Sequence, residues 1–349
     1  MTRLTRFRTE YWAKAPTGLN FETMRITSDN VVLPSGTGGL RIGPATITID
    51  GHAITQVEEG IAETANDVTS LTGMLVAPAF VNAHTHLALS CLRGIGGLAA
   101  YRGNVVEEVY FPIEQELTPE DVRAFARVAA IECLLSGTGA VWDHYYHGDA
   151  VADACADVGL TAVIAPTLQD LAGPGRKVWR EALDLTARIA EDEERQEAGI
   201  VAALGPHATD TVSDALWLRA RDVAARYNLP IHAHVAQSFE EYARSLERHD
   251  ETPLGRLRRL GCLDDDQRFL LVHGLYVNDD DLKALTPGVH LLGYCPYSQL
   301  QFAFPAALHA WRAAGLEIAL GTDAGCCNDT MNVQLEVRSL ASGSSFSVM

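Results

Sequence analysis

No run of apolar residues in this 349-residue chain is long enough to span a bilayer, which takes about 20 in succession. Residues 1–8 are basic but lack the apolar core of a secretory signal, so they read as a loose arm. Positive charge is scarce: 27 Lys plus Arg stand against 45 Asp plus Glu, a net charge of −18. That balance disfavours nucleic acid and anionic membrane as partners. The seven cysteines form no CxxC pair and no dense framework, and the adjacent Cys326 and Cys327 are unsuited to bridging each other. A reducing, cytoplasmic setting is expected. No internal repeat or low-complexity linker divides the chain.

A chain of this length buries one large core, and a barrel with an appendage suits it better than two equal domains. Residues 1–72 form the appendage, with strands expected at 22–28, 40–49 and 53–58 and a turn at Asp50-Gly51. Residues 73–349 alternate short apolar runs with amphipathic stretches. Strands are expected at 73–82, 140–143, 161–165, 200–205, 230–235, 268–272, 290–294 and 315–321. The helices between and after them are 118–135, 148–158, 178–196, 213–227, 239–249 with 253–260, 278–285, 305–314 and 329–340. Eight such units make an α/β protein, a (β/α)8 TIM-type barrel. Thr118-Pro119-Glu120-Asp121 has the form of a capping box with Asp in the Glu position. Residues 88–104, carrying Arg93, Tyr101 and Arg102, read as a loop over the barrel mouth. The Ser-rich tail 341–349 is unlike a barrel's last helix, so the carboxy-terminal end is expected to be truncated.

His84 and His86 lie two apart on a strand and share one face. His234, His273 and Asp323 each close a further apolar run, and strand ends carry the active sites of such barrels. One buried histidine is more often a core residue than a ligand, but this set falls at successive strand mouths. His84, His86, His234 and Asp323 suit a metal site with a position left for water. No Lys stands at the mouth of strand 4, where Pro206-His207 sits, so one divalent ion per subunit is expected. Zinc heads the candidates, with Fe2+ or Mn2+ also suited.

The pieces Pro78-Ala79-Phe80-Val81-Asn82-Ala83-His84-Thr85-His86, Gly205-Pro206-His207-Ala208, His232-Ala233-His234, Val272-His273-Gly274, Cys295-Pro296-Tyr297-Ser298 and Gly321-Thr322-Asp323 occur in one order. Together they resemble the amidohydrolase superfamily, in its branch of aminohydrolases and chlorohydrolases. The resemblance covers residues 20 to 340. It implies that the appendage is half of a small β-sandwich, and that Asp323 both holds the metal and accepts a proton from the attacking water. His273 then hydrogen-bonds the nucleophile, His207 contacts substrate, and His144 is a weaker substrate contact, with His147 beside it. The departure is Gln237, where the branch carries a proton-shuttling Glu; Glu240 and Glu241 are expected to be solvated. The implied function is metal-dependent hydrolytic deamination of a purine, pyrimidine or pterin-like ring, with metal-activated hydroxide attacking the amino-bearing carbon. The alternatives are a triazine-type chlorohydrolase or N-alkylaminohydrolase, and a catalytically silent scaffold. The partner is a small heterocyclic substrate, with a homodimer or higher homo-oligomer expected.

Overall fold

Alternating apolar residues followed by an Asp-Gly turn shape the first described strands. The computed structural model describes residues 23–36, 39–63, 67–95, 103–302, 304 and 308–343, and divides the chain into two compact units, Met1–Ala79 and Phe80–Met349. The basic arm 1–8 and the tail 344–349 lie outside the described residues, as do Tyr101 and Arg102.

In the first unit, β1 (Met24–Pro34), β2 (Leu40–Asp50) and β3 (Ala53–Glu59) form an antiparallel meander. The β2–β3 turn uses Gly51 at φ 59°, which suits a residue without a Cβ. β4 (Val68–Ser70) and β5 (Leu75–Val76) add to β1 in parallel. One layer results, with Val31, Leu33, Ala45 and Ile47 buried. The strand expected at 73–82 is therefore divided. Leu75–Val76 pairs within this sheet, and the first barrel strand starts at Phe80.

The second unit is a ring of parallel strands. β6 (Phe80–His86), β7 (Thr138–Tyr145), β8 (Thr161–Leu168) and the pair β9 (Ile200–Ala202) and β10 (Gly205–Pro206) follow in order. β11 (Ile231–Val235), β12 (Phe269–His273), β13 (His290–Tyr294) and β14 (Glu317–Leu320) continue it. Two seams join the arcs. Leu204 bridges Ile231 in parallel, with Leu204 N–H donating to the Pro230 carbonyl at 2.9 Å. At the other seam, β15 (Asp323–Ala324) continues the eighth strand and pairs with Thr85 and His86 of β6. The barrel therefore closes. β11 is buried along its length, because helices cover one face and the barrel interior the other.

The helices that carry the strands follow local chemistry. Thr118 and Asp121 form the reciprocal capping box at the start of Pro119–Leu135. The single helix expected at 178–196 breaks at Asp192, whose side chain caps a new turn by accepting from Arg195 N–H at 3.0 Å. Residues 88–104 are not all loop: Leu87–Leu92 is helical with Leu87, Ala88, Leu89 and Leu92 buried. The last helix is Val333–Gly343 rather than 329–340, because Asp329 turns left-handed after the short helix Gly325–Asn328.

Candidate metal centre

Strand ends aim five side chains at one point. On β6 the rings of His84 and His86 lie 4.6 Å apart at 88°. β11 brings His234, stacked on His86 with centroids 5.2 Å apart. β12 ends in His273, and β15 begins with Asp323. One nitrogen each of His84, His86 and His234 lie within 4.8 Å of one another, as do single atoms of His84, His273 and Asp323. Gly321 lets the eighth strand approach this closely, since a Cβ there would meet the His84 backbone at 2.8 Å. Ala236, His273 and Asp323 all hold left-handed backbone, at φ 52°, 73° and 63°. Such conformations are costly for residues with a Cβ and cluster at functional sites.

Hydrogen bonds decide which nitrogens face inward. His86 Nδ1 donates to the His144 carbonyl at 2.5 Å, and His234 Nδ1 to the His207 carbonyl at 3.0 Å. Carbonyls only accept, so in the neutral rings both Nε2 atoms carry bare lone pairs, 3.2 Å apart. His84 Nδ1 lies 2.9 Å from His232 Nε2. Its own Nε2 is buried without a hydrogen-bond partner, 3.6 Å from Asp323 Oδ1. His86 Nε2 stands equally far from that oxygen.

Protonation does not relieve the crowding. Burial lowers His84 to about 3, with Asp323 opposing and His86 adding to the fall. Burial and His207 hold His234 well below its ordinary value. Burial alone would raise the Asp323 carboxyl, but the surrounding His84, His273 and His86 outweigh it and keep the group below the usual carboxylate range. Ser298 Oγ donates to Asp323 Oδ2 at 2.8 Å, which leaves Oδ1 toward the centre. Three imidazoles, one carboxylate and an orphaned buried nitrogen fit a divalent cation.

A cavity of about 250 Å³ opens above, lined by His86, His144, His207, His234, Gln237, His273 and Asp323 among others. His84 lies beneath it, fully buried. The structure thus brings His84, His86, His144, His207, His234, Gln237, His273 and Asp323 to one place. His144 Nδ1 sits 3.1 Å from Thr167 Oγ1 while its buried Nε2 has no partner. His207 Nδ1 sits 2.9 Å from Thr211 Oγ1, and burial with the nearby histidines lowers it to about 3. His147 starts the helix Gly148–Val158 and is not among the lining residues.

Glu240 is exposed, as expected, but Glu241 is not: it is fully buried. Its Oε2 accepts from Gln237 N–H at 2.7 Å, and its Oε1 from the Thr209 hydroxyl at 2.5 Å. His232 was also missed, although it shares a strand face with His234 by the alternation that pairs His84 with His86. Ser298 lay inside a quoted motif without a role. Asn82 locks the first strand to the last, donating to Thr322 Oγ1 at 2.8 Å and accepting from Thr322 N–H at 3.0 Å.

The model of the amidohydrolase family matches residues 75–347. A 5-methylthioadenosine/S-adenosylhomocysteine deaminase of Thermococcus kodakarensis is 31% identical over 297 residues, covering 84% of this chain and 69% of that protein. An adenosine deaminase from Xanthomonas campestris, solved with bound zinc, superposes with a TM-score of 0.76 at 24% identity, covering 91% of this chain and 73% of that one. Guanine deaminase from C. acetobutylicum, solved with guanine in the active site, gives 0.82 at 15% identity, covering 93% and 80%. These two likenesses speak for the shared barrel fold. The chain belongs to the amidohydrolase family, and within it to the aminohydrolase branch.

Proposed function

We propose that this protein is a metal-dependent hydrolytic deaminase, replacing the exocyclic amino group of a purine, pyrimidine or pterin-like ring with a hydroxyl. The observation that carries the reading is the convergence of bare nitrogens from His84, His86 and His234 with Asp323 Oδ1 on the floor of one cavity. These four residues would hold one divalent ion per subunit, zinc first and iron(II) or manganese(II) next. Such an ion, when bound, lowers the pKa of a coordinated water toward about 7.

The remaining chemistry falls to the chain's own side chains. Asp323, with Oδ2 tied to Ser298, takes the proton that the attacking water releases as its oxygen bonds the amino-bearing carbon. His273 hydrogen-bonds the oxygen as charge develops on it. His207, His144 and Gln237 line the wall that holds the ring. The Gln237 amide can donate a hydrogen bond but has no acidic proton, so the proton leaving with ammonia is the one Asp323 has taken up. The carbon–nitrogen bond breaks, and water and amine have become hydroxyl and ammonia. The names of the relatives, deaminases of adenosine-type nucleosides, support this class of substrate.

Gln237 also favours a second reading, displacement of halide from a triazine-like ring, because chloride departs without a proton. A heterocycle panel followed in parallel for ammonia, chloride and alkylamine separates the two. Ammonia release supports deamination, chloride alone supports the second, and release of none from metal-loaded protein overturns both. All seven cysteines are unbridged, which suits a cytoplasmic enzyme. Light scattering tests the expected homodimer or higher oligomer.

A further inference from the structure

Glu241 is a carboxyl with no exposure, in the first turn of the helix Phe239–His249 and behind the cavity wall. Its two oxygens serve two different loops. Oε1 accepts from Thr209, through the hydroxyl at 2.5 Å and the backbone N–H at 3.3 Å. Oε2 accepts from the Gln237 backbone N–H at 2.7 Å. Thr209 lies two residues after His207, and Gln237 three after His234, so one carboxyl ties together the loops carrying both cavity-lining residues.

A second observation points the same way. Ala236, immediately before Gln237, holds φ 52°, a conformation that a residue with a Cβ keeps only when its surroundings enforce it. The Leu275 and Tyr276 N–H groups bind the Ala236 carbonyl at 3.0 and 3.1 Å from one side, and Glu241 clamps the next peptide from the other. Helix propensity and surface patterning do not explain a buried acid here, since burial with the nearby Asp210 works against its ionised form.

We propose that Glu241 is a positioning residue, setting Gln237 and His207 against the substrate by fixing the strained turn at Ala236 and the loop at Thr209. It touches neither substrate nor metal. The proposal rests on the deaminase reading for its kinetic arm only.

Glu241→Gln keeps the size but replaces one acceptor with a donor, which must then face an N–H or the Thr209 hydroxyl. Misplacement of substrate-holding groups by about 1 Å costs on the order of 10²-fold. Ammonia release from 5′-deoxyadenosine by metal-loaded protein should fall by that order per metal-loaded site, with metal content unchanged. Repeated in the Gln237→Ala background, the same change should cost clearly less than in wild type, because the part exerted through the Gln237 side chain is gone and only the part exerted through the His207 loop remains. An equal loss in both backgrounds would overturn a role exerted through Gln237. A crystal structure of Glu241→Gln decides independently of activity: a displaced 236–237 turn and 207–211 loop supports the proposal, and an unmoved pair overturns it. Wild-type protein that releases no ammonia from any ring would sink the deaminase reading while leaving this structural arm to be judged alone.

Discussion

His232 never meets the cavity, yet it should govern how tightly metal binds. With a lone pair required on His84 Nε2, the His84 proton must sit on Nδ1 and be donated to His232 Nε2 across 2.9 Å. His232→Leu removes that acceptor inside a fully buried site. The metal-free variant escapes by moving the proton to Nε2, toward Asp323 Oδ1 at 3.6 Å. Metal binding must reverse the shift and leave Nδ1–H unsatisfied, a penalty of about 1–3 kcal/mol. At about 1.4 kcal/mol per factor of ten, affinity should drop roughly 10–100-fold. Competition against a fluorescent zinc chelator reads this directly. His232→Gln, whose amide oxygen can accept, should recover part of the loss. Unchanged affinity in His232→Leu, with the fold intact, would refute the assigned tautomer.

Other expectations follow from the cavity wall. Gln237→Glu places a charge beside the ring's acceptor atoms, and turnover of the true substrate should fall by about 10²-fold; a gain in ammonia release with a new carboxylate limb in the pH profile would show that position 237 can shuttle protons instead. Glu114, on the same wall, is raised from 4.5 to about 8 by burial, with Tyr145 partly offsetting. The folded protein therefore keeps a proton that the unfolded chain loses above pH 4.5. Stability from this group falls by about 1.4 kcal/mol per unit as pH climbs through that window. Glu114→Gln should gain melting temperature over wild type between pH 5 and 8; parallel curves would contradict this. Arg244 bridges Asp210 at 3.0 Å and also pairs with Glu107, joining two cavity-lining acids. Arg244→Met should raise KM severalfold with little change in kcat, and an unaltered KM would dismiss the bridge as ornamental.

The barrel was legible because each strand had to be apolar on both faces and each helix amphipathic, so the two periods alternate along the chain. The converging histidines were legible for a similar reason, since side chains two apart on a strand share a face and strand ends share a rim. Less visible was what depends on contacts distant in sequence. Glu241 sits in Phe239-Glu240-Glu241-Tyr242, polar enough to pass for a solvated face. Its burial comes from Thr209, 32 residues away. The split of 73–82 between two units has the same origin. Leu75–Val76 finds a partner in Asn30 and Val31 of β1, which no local pattern announces. His232 is the exception, because the alternation that pairs His84 with His86 applied equally to it.

The most direct test of the whole account is ammonia release from an adenosine-type nucleoside before metal removal, after exhaustive chelation, and after zinc is restored, with His86→Ala and His234→Ala alongside. Expected are release by the loaded protein, loss on chelation, recovery with about one metal per chain, and neither full occupancy nor recovery in the variants. Undiminished release from stripped protein, or full metal occupancy in both variants, would contradict it.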